Sequence, residues 1–300
     1  MKLAHKKNEV RQMVSEWHRQ GERVALVPTM GALHDGHLSL IRQAKEHAAH
    51  VVVSVFVNPT QFAPGEDYER YPRTLETDME KCRSEGVSLV FAPDRNEMYG
   101  SDDEERPHYL SVRISGMNRH LCGASRPGHF EGVLQVVNKL FNIVRPDVAV
   151  FGQKDIQQWF IIRQMAEEFE HPVEILMGPT RRESDGLAKS SRNVYLSPDQ
   201  RRKAPMLFAS LKRVSDTLRE QILKQDADSG EIPVPGTLLS GEKQRFAENG
   251  FKLDYFSIVG TPDLQPVDVI VPGRLYVIAA AAWLGNTRLI DNVLLNTRKE

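Results

Sequence analysis

The first part of the chain alternates between short continuous apolar runs and longer segments in which apolar residues recur every three or four positions. The runs are typical of strands buried on both faces of a parallel sheet, and the recurring positions are typical of amphipathic helices. The predicted strands are 24–27, 51–57, 87–91, 147–151 and 173–177, and the predicted helices are 8–17, 38–48, 74–85, 130–144 and 156–169. This alternation predicts an α/β fold with a doubly wound, Rossmann-like parallel sheet, whose ligands bind at the carboxyl ends of its strands.

The pattern changes beyond Arg192. A longer helix is expected over 198–223, and strand character appears at 253–259 and 275–280. We therefore predict two domains, a Rossmann-like nucleotide-binding domain at 1–184 and a smaller C-terminal α+β domain at 185–300. The segment from Tyr99 to Pro107 is acidic and poor in apolar residues, which predicts a surface excursion.

Composition narrows the class of protein. The 300 residues are 40% hydrophobic and 26% charged, as in ordinary globular proteins. Lys and Arg total 39 against 40 Asp and Glu, so no broad positive surface is expected to bind nucleic acid. The longest apolar stretch, Leu275 to Leu284, is about half the ~20 residues that a membrane-spanning helix needs, so no membrane partner is expected. A charged N-terminus and only two cysteines, Cys82 and Cys122, predict a reducing, cytoplasmic setting.

The segment Pro28 to His37 lies between a predicted buried strand and the start of a helix. Free backbone N–H groups and the helix dipole favour an anion there, and His34 and His37 can reach the same anion while Gly31 and Gly36 allow close approach. Two alternatives stay open. The histidines could be surface residues at a helix cap, or half of a metal site, although no second pair stands at ligand spacing.

Two further clusters could bind a nucleotide. Gly152, Lys154 and Asp155 follow the strand at 147–151, where a lysine suits phosphate and a carboxylate suits ribose hydroxyls. Two cations and two hydroxyls lie close together in the segment Lys189 to Arg192, which predicts a mobile phosphate clamp. The alternative for both clusters is a solvated surface. Neither a P-loop nor a G-x-G-x-x-G motif occurs.

Taken together, four stretches resemble those of one family, pantothenate synthetase, the pantoate:beta-alanine ligase of the nucleotidyltransferase superfamily. The stretches are VPTMGALHDGHLSLIRQAK, SVFVNPTQFAPGEDYERYPRT, RPGHFEGVLQVVNKLFNIVRPDVAVFGQKDIQQ and DGLAKSSRNVYLSP. His34 and His37 are similar to the paired-histidine signature that this family shares with class I aminoacyl-tRNA synthetases. The order of these motifs, with Gln61, His129 and Lys154 between them, makes the resemblance specific.

The resemblance implies a two-step reaction with ATP. The pantoate carboxylate attacks the α-phosphorus to give pantoyl adenylate and pyrophosphate, and the amine of beta-alanine then displaces AMP. It implies His34, His37 and Lys154 as catalytic residues. The nucleotide-binding residues that it implies are Met30, Gly31, His34, His37, Gly152, Gln153, Lys154, Asp155, Arg181, Lys189, Ser190, Ser191 and Arg192.

The resemblance also implies ligands for the other substrates and for a metal. Pantoate would bind in the domain at 1–184, and the domain at 185–300 would act as a lid. Pantoate and beta-alanine would contact Gln61, Gln158, Asn58 and His129, and Mg²⁺ would accompany ATP, with Asp78 as its candidate ligand.

Three positions depart from the pattern of the family. Thr77 stands where some relatives have a second acid. Arg181 and Lys189 replace residues that are usually apolar, which leaves open whether they bind phosphate or extend to solvent.

Relatives are commonly homodimers, so a homodimer is expected. Two other functions stay open. One is a nucleotidyltransferase that stops after adenylyl transfer, and the other is a non-catalytic regulator that binds a nucleotide. An aminoacyl-tRNA synthetase is disfavoured because the chain has neither a basic tRNA-binding appendage nor a net positive charge.

Overall fold

The computed structural model describes residues 1–100, 110–224 and 230–297. The strands are β1 Lys2–Ala4, β2 Val24–Thr29, β3 His50–Val55, β4 Leu89–Phe91, β5 Val148–Gly152, β6 Glu174–Gly178, β7 Ile232–Pro233, β8 Phe251–Gly260, β9 Val269–Ile270, β10 Leu275–Leu284 and β11 Thr287–Asn296. The helices are α1 Lys7–Arg19, α2 Asp35–His47, α3 Leu75–Ser84, α4 Arg95–Tyr99, α5 Leu121–Ser125, α6 His129–Val144, α7 Ile156–Glu168, α8 Pro198–Lys203, α9 Met206–Lys224 and α10 Gly236–Glu248. Single 3₁₀ turns lie at Pro59–Gln61, Gln153–Asp155 and Ser191–Tyr195.

Six strands form one sheet in the order β1-β4-β3-β2-β5-β6, and every pair in it is parallel. The chain adds strands outward from β2 through β3 to β4 and then returns to place β5 on the other side of β2. The strand order therefore reverses between β2 and β5, which is where doubly wound sheets bind their ligands. The predicted α/β fold with a parallel sheet is confirmed.

Apolar side chains of α2 and of the central strands form the core on one face of this sheet. Ile41 and Ala44 pack there with Val27, Val53 and Val150, all of them fully buried. Neighbouring strand residues that point to the other face, such as Leu26 and Val52, are fully buried as well. Burial on both faces explains why these strands are continuous apolar runs in the sequence.

A three-stranded antiparallel sheet in the order β11-β10-β8 forms a second core. The central strand, β10, contains the four alanines Ala279–Ala282, all buried, as expected for a packed core segment. Leu211 and Leu218 of α9 and Phe246 of α10 pack against this sheet. The C-terminal α+β region is thus present as predicted from its change of pattern.

The described residues form two compact units. The first comprises the chain up to Ile114, Arg126–Gln153 and Gln158–Arg181, and the second comprises Ser115–Ser125, Lys154–Gln157 and the chain from Arg182 onward. The short segments of the second unit differ from a single boundary at 184/185. Hydrogen bonds of the buried Gln157 side chain explain part of this division, because its amide donates to the carbonyls of Met117 and His120 at 2.8 Å each.

Two local predictions need correction. The helix expected over 198–223 is interrupted, because Pro205 has no N–H to donate, and α8 ends at Lys203 before α9 begins at Met206. Tyr99 does not belong to a surface excursion. It ends α4, and its hydroxyl donates to Asn58 Oδ1 at 2.7 Å. Residues 101–107 of the expected excursion lie outside the described residues.

Within the described ranges, no helix is both long enough and apolar enough to cross a bilayer.

Candidate active site

Three loops of the first unit leave the same edge of the parallel sheet. Thr29 of β2 pairs with Val55 of β3, and Gly152 of β5 pairs with Gly178 of β6, so these strands end side by side. The loop after β2 leads into α2, and the loop after β3 contains the turn Pro59–Gln61. Met30 and Gly31 follow β2, and Gln153 follows β5, on the two sides of the point where the strand order reverses.

His34 and His37 form the cap of helix α2. The His34 Nδ1 accepts a hydrogen bond from the Gly36 backbone N–H at 3.1 Å, and the His37 Nδ1 accepts from the His34 backbone N–H at 3.3 Å. Because both Nδ1 atoms are acceptors, a neutral ring carries its proton on Nε2. The two rings lie 4.1 Å apart between centroids. The cap therefore presents two Nε2–H donors at the positive end of a helix dipole.

Gly36 makes this arrangement possible. A Cβ at that position would lie 2.8 Å from the His34 Cε1 atom and 2.9 Å from its Nδ1, so any larger residue would displace the ring. The sequence interpretation of an anion site at this cap is consistent with the geometry. The alternative, histidines that cap the helix, accounts for the hydrogen bonds of the two Nδ1 atoms.

A hydrogen-bond network orients the Gln61 side chain. Its Oε1 accepts from Asn58 Nδ2 at 3.1 Å, and its Nε2 contacts the Met30 sulfur at 3.1 Å. Asn58 is 1% exposed, and its Oδ1 accepts from the Tyr99 hydroxyl at 2.7 Å. Asn58 thus supports Gln61, and the network fixes which end of the Gln61 amide is the donor.

His129 and Arg126 hold the backbone of the same turn. The His129 Nδ1 donates to the Gln61 carbonyl at 2.8 Å, and its Nε2 accepts from Arg126 Nη1 at 3.0 Å. Arg126 also makes a paired contact with the Glu66 carboxylate, at 2.7 and 2.6 Å. Both ring nitrogens of His129 have protein partners, so its geometry favours a positioning role over direct contact with substrate.

Arg126 also determines the charge state of Glu66. Burial by itself would raise the pKa of Glu66, but hydrogen bonds and the positive charge of Arg126 outweigh it, and the pKa is lowered from 4.5. The carboxylate therefore remains ionised to a lower pH than an ordinary glutamate does.

Lys154 in the second unit is held through its backbone. Asn292 of β11, which is 1% exposed, donates from Nδ2 to the Lys154 carbonyl at 3.0 Å. Next to it, Asp291 accepts from Arg182 at 2.5 and 3.0 Å and from the Asn292 backbone N–H at 2.8 Å. The Lys154 ammonium lies 3.9 Å from the carboxylate of Asp155, which is exposed.

The cationic segment of the second unit, Lys189 to Arg192, leads into the 3₁₀ turn Ser191–Tyr195. Ser190 caps that turn, because its Oγ accepts from the Arg192 backbone N–H at 3.3 Å. Lys189 lies 3.4 Å from Glu183, which favours the interpretation that this cation pairs with the protein surface. Ser191 and Arg192 are half-buried. In the first unit, Arg181 is exposed.

The structure thus groups the predicted residues by unit. In the first unit, the loops after β2 and β3 and the start of α2 hold Met30, Gly31, His34, His37 and Gln61. Gly152, Gln153 and the half-buried Gln158 belong to that unit through β5 and α7. Lys154, Asp155, Lys189, Ser190, Ser191 and Arg192 belong to the second unit.

Asp78 does not fit the role of a metal ligand. Its side chain is fully buried, and its two oxygens accept from the backbone N–H groups of Ala32 and Leu33 at 2.9 and 2.7 Å. A Mg²⁺ ligand needs an oxygen open toward an octahedral hydrated ion, whereas both oxygens of this buried carboxylate accept hydrogen bonds from the protein backbone. Among the residues that the structure describes, no group of three or more His, Cys, Asp or Glu side chains could hold a metal.

Sequence reasoning missed several residues that build this site. Arg126, Glu66 and Tyr99 act through Gln61, and Asn292 acts through Lys154. The sequence held some signal for three of them, because Glu66 and Arg126 lie in stretches that carry the family resemblance, and Asn292 lies in a polar interruption of an apolar C-terminal segment.

Comparison with known proteins extends these observations. A family model described as pantoate-beta-alanine ligase matches residues 2–294. A pantothenate synthetase from Alcanivorax borkumensis is 47% identical over 300 residues, which cover 98% of each chain. One from Salinibacter ruber is 46% identical over 278 residues, which cover 92% of this chain and 91% of the relative.

Solved structures agree. The pantothenate synthetase of Thermus thermophilus aligns with a TM-score of 0.86 and 40% identity, covering 99% of this chain and 100% of that one. The Francisella tularensis pantoate-beta-alanine ligase, complexed with beta-gamma ATP and beta-alanine, aligns with a TM-score of 0.74 and 32% identity, covering 98% and 97% of the two chains. This chain therefore belongs to the pantoate-beta-alanine ligase family.

Proposed function

We propose that the chain condenses pantoate with beta-alanine at the expense of ATP, through a pantoyl-adenylate intermediate. In the first step a pantoate carboxylate oxygen forms a bond to the α-phosphorus, the bond from that phosphorus to the bridging oxygen breaks, and pyrophosphate leaves. In the second step the beta-alanine amine attacks the acyl carbon, loses a proton and displaces AMP. The first step brings an anion onto a polyanion, so stabilisation of negative charge is its main requirement.

The paired histidine cap of α2 is the observation that supports this function most strongly. Its two Nε2–H donors and the helix dipole suit the phosphates of ATP, and the donors are fixed before substrate binds. Gln61 lies beside Met30, at 3.1 Å from its sulfur, with an oriented amide. A neutral amide can orient the pantoate carboxylate without neutralising its charge, whereas an arginine would reduce its nucleophilicity.

The other residues retain their proposed roles. Lys154, Ser190, Ser191 and Arg192 are proposed to neutralise charge on the triphosphate, and Gly152, Gln153 and Asp155 to bind the nucleoside. Gln158 is proposed to bind pantoate. Lys189 and Arg181 have no assigned contact with ATP in this proposal. The lid function of the C-terminal region stays a prediction.

Mg²⁺ is proposed to enter with ATP as part of the nucleotide substrate. The protein groups that suit such a substrate are hydrogen-bond donors and cations, and no step of the proposed reaction depends on a metal ligand of the chain. In this proposal the reaction needs Mg²⁺, but Asp78 is not required to bind it.

The reaction sequence tests the proposal. With ATP, Mg²⁺ and pantoate, we expect pyrophosphate and a bound acyl adenylate, and subsequent addition of beta-alanine should release AMP and pantothenate. Release of pyrophosphate without amide formation would favour the nucleotidyltransferase that stops at adenylyl transfer. Binding of ATP without pyrophosphate release would favour a regulator. His37→Ala removes one of the two imidazole donors and should slow pyrophosphate release. His47→Ala, at the other end of α2, is its matched control and should leave both steps unchanged.

A homodimer and a cytoplasmic setting also remain proposals. Cys82 and Cys122 are free thiols. Burial raises the pKa of the Cys82 thiol to about 12, so it stays protonated at neutral pH. Light scattering coupled to size-exclusion chromatography should give twice the mass of the 34.0 kDa chain if the dimer forms.

A further inference from the structure

Side chains of helix α3 form hydrogen bonds with the backbone of the loop that leads from β2 to the histidine cap. Asp78 accepts from the backbone N–H groups of Ala32 and Leu33 at 2.9 and 2.7 Å, and the Thr74 hydroxyl donates to it at 3.3 Å. Lys81, less than one turn further along α3, donates to the Leu33 carbonyl at 2.5 Å. We refer to Asp78 and Lys81 as the α3 clamp. The clamp therefore binds two backbone N–H groups, those of Ala32 and Leu33, and one backbone carbonyl, that of Leu33.

The backbone under the clamp has an unusual conformation. Gly31 has φ +84° and Ala32 has φ +51°, so two consecutive residues occupy the left-handed region. For alanine this conformation is unfavourable, and it persists only where surrounding structure fixes it. A Cβ on Gly31 would lie 3.0 Å from Val55 Cγ1 and 3.1 Å from Asp78 Oδ2, so the loop also passes very close to the clamp.

Successive N–H groups that converge on one point form an anion-binding nest. Loops between a strand and a helix often use such a nest for the phosphate of a nucleotide. In this chain the nest of Ala32 and Leu33 is filled by a carboxylate of the protein itself. Phosphate binding is then left to the N-terminus of α2 and to the two imidazoles, which begin at the next residue, His34.

We infer that Asp78 and Lys81 are positioning residues, which fix the loop Gly31–His34 in the conformation that accepts ATP, and that Asp78 acts without contacting a metal. This inference rests on the proposed function, since it assigns the nucleotide to this loop. The carboxylate is suited to the task, because a charged acceptor strengthens both backbone hydrogen bonds in a buried setting.

Binding of ATP with and without metal separates the two roles of Asp78. In Asp78→Asn, one end of the side chain becomes a donor that faces a backbone N–H, so the loop loses its fixed conformation. We expect ATP affinity, measured by calorimetry well below the melting temperature, to fall about tenfold, both with Mg²⁺ and with EDTA, because one such bond to a charged group is lost. Glu80→Gln, an exposed acid on the same helix, is the matched control and should bind ATP as the unmodified chain does.

Each outcome decides the question. A loss of affinity seen only with Mg²⁺ would show that Asp78 is a metal ligand and overturn the inference, and so would an unchanged affinity in both conditions. If Asp78→Asn does not fold, Lys81 provides the second test. Lys81→Met should weaken ATP binding in both conditions, and Lys81→Arg, which retains a donor, should restore it. Normal affinity in Lys81→Met would then overturn the inference.

Pyrophosphate release distinguishes failure of this inference from failure of the proposed function. If the unmodified chain releases no pyrophosphate with ATP, Mg²⁺ and pantoate, the proposed function is wrong. If the unmodified chain does release pyrophosphate, and Asp78→Asn has the same KM for ATP and the same kcat as the unmodified chain, the positioning role is wrong. We expect the variant to show a raised KM for ATP together with a lowered kcat.

Discussion

The two units hold their candidate site residues in different ways. In the first unit, hydrogen bonds reach the functional side chains themselves: Asn58 fixes the Gln61 amide, and backbone N–H groups fix the two imidazoles. In the second unit, the hydrogen bond at Lys154 reaches the backbone instead. Asn292 holds the Lys154 carbonyl, whereas the Lys154 ammonium lies 3.9 Å from the carboxylate of Asp155.

This difference matches how the two kinds of side chain act, the first through the orientation of one atom and the second through its positive charge. An imidazole or amide acts through one particular atom, so its orientation must be fixed in advance. A lysine ammonium is a compact charge with three donors on a flexible stem, and it can adapt to a phosphate without such fixing. Removal of a charge from the second unit should therefore lower the turnover rate strongly. A change that only loosens the orientation of a side chain in the first unit should have a smaller effect on the reaction.

Lys154→Ala should give the largest effect. Loss of one preorganised positive group should lower the kcat of pyrophosphate release about 10²-fold or more. Single-turnover assays with saturating ATP and pantoate measure this, with the exposed Lys252→Ala as control. An effect confined to KM would count against a role in stabilising the transition state.

Tyr99→Phe should give an intermediate effect. It removes the donor to Asn58 Oδ1 and so loosens the orientation of Gln61. We expect the KM for pantoate to rise about fivefold, as for loss of one hydrogen bond, with little change in kcat. The KM for ATP is the internal control, and an equal rise in both constants would argue against an action through Gln61.

Ser191→Ala should reduce activity less than Lys154→Ala or Tyr99→Phe does. The segment retains Arg192 and the Ser190 cap, so we expect kcat/KM for ATP to fall only about threefold. Steady-state assays over a range of ATP concentrations measure this ratio. A loss as large as that of Lys154→Ala would mean that the second unit also depends on a fixed side-chain orientation.

Acid stability should show the smallest effect. Because the pKa of Glu66 is lower in the folded chain than its ordinary value of 4.5, the unfolded chain binds the proton more readily. The contribution of Glu66 to stability is therefore present above pH 4.5 and is lost as the pH falls through the folded pKa. Unfolding by urea at several pH values should show a smaller loss between neutral and acid pH for Glu66→Gln. Equal losses in both chains would exclude this contribution.

The parallel sheet could be predicted from the sequence because its strands are buried on both faces. Runs such as Val24 to Val27 leave no polar alternation, and the helices between them have a clear apolar face. Strand β1 was not predicted, since three residues at the edge of a sheet carry too little pattern. Strand β11 was missed because buried polar residues, Asp291 and Asn292, interrupt its apolar pattern.

The candidate site residues could be proposed from motifs, but their supporting partners could not. Asp78 lies 45 residues from the Leu33 backbone that it binds, and Arg126 lies 60 residues from Glu66. Neither pairing has a local sequence pattern. The structure shows what the motifs could not, namely that both oxygens of the Asp78 carboxylate accept from the backbone of the loop after β2.

The most direct test of the account is the fate of oxygen from pantoate. If the carboxylate attacks the α-phosphorus, pantoate labelled with ¹⁸O in its carboxylate must transfer one labelled oxygen to AMP during synthesis of the amide. Mass spectrometry of the products should find that label in AMP and none in pyrophosphate. Unlabelled AMP, or ADP together with labelled inorganic phosphate, would contradict the account.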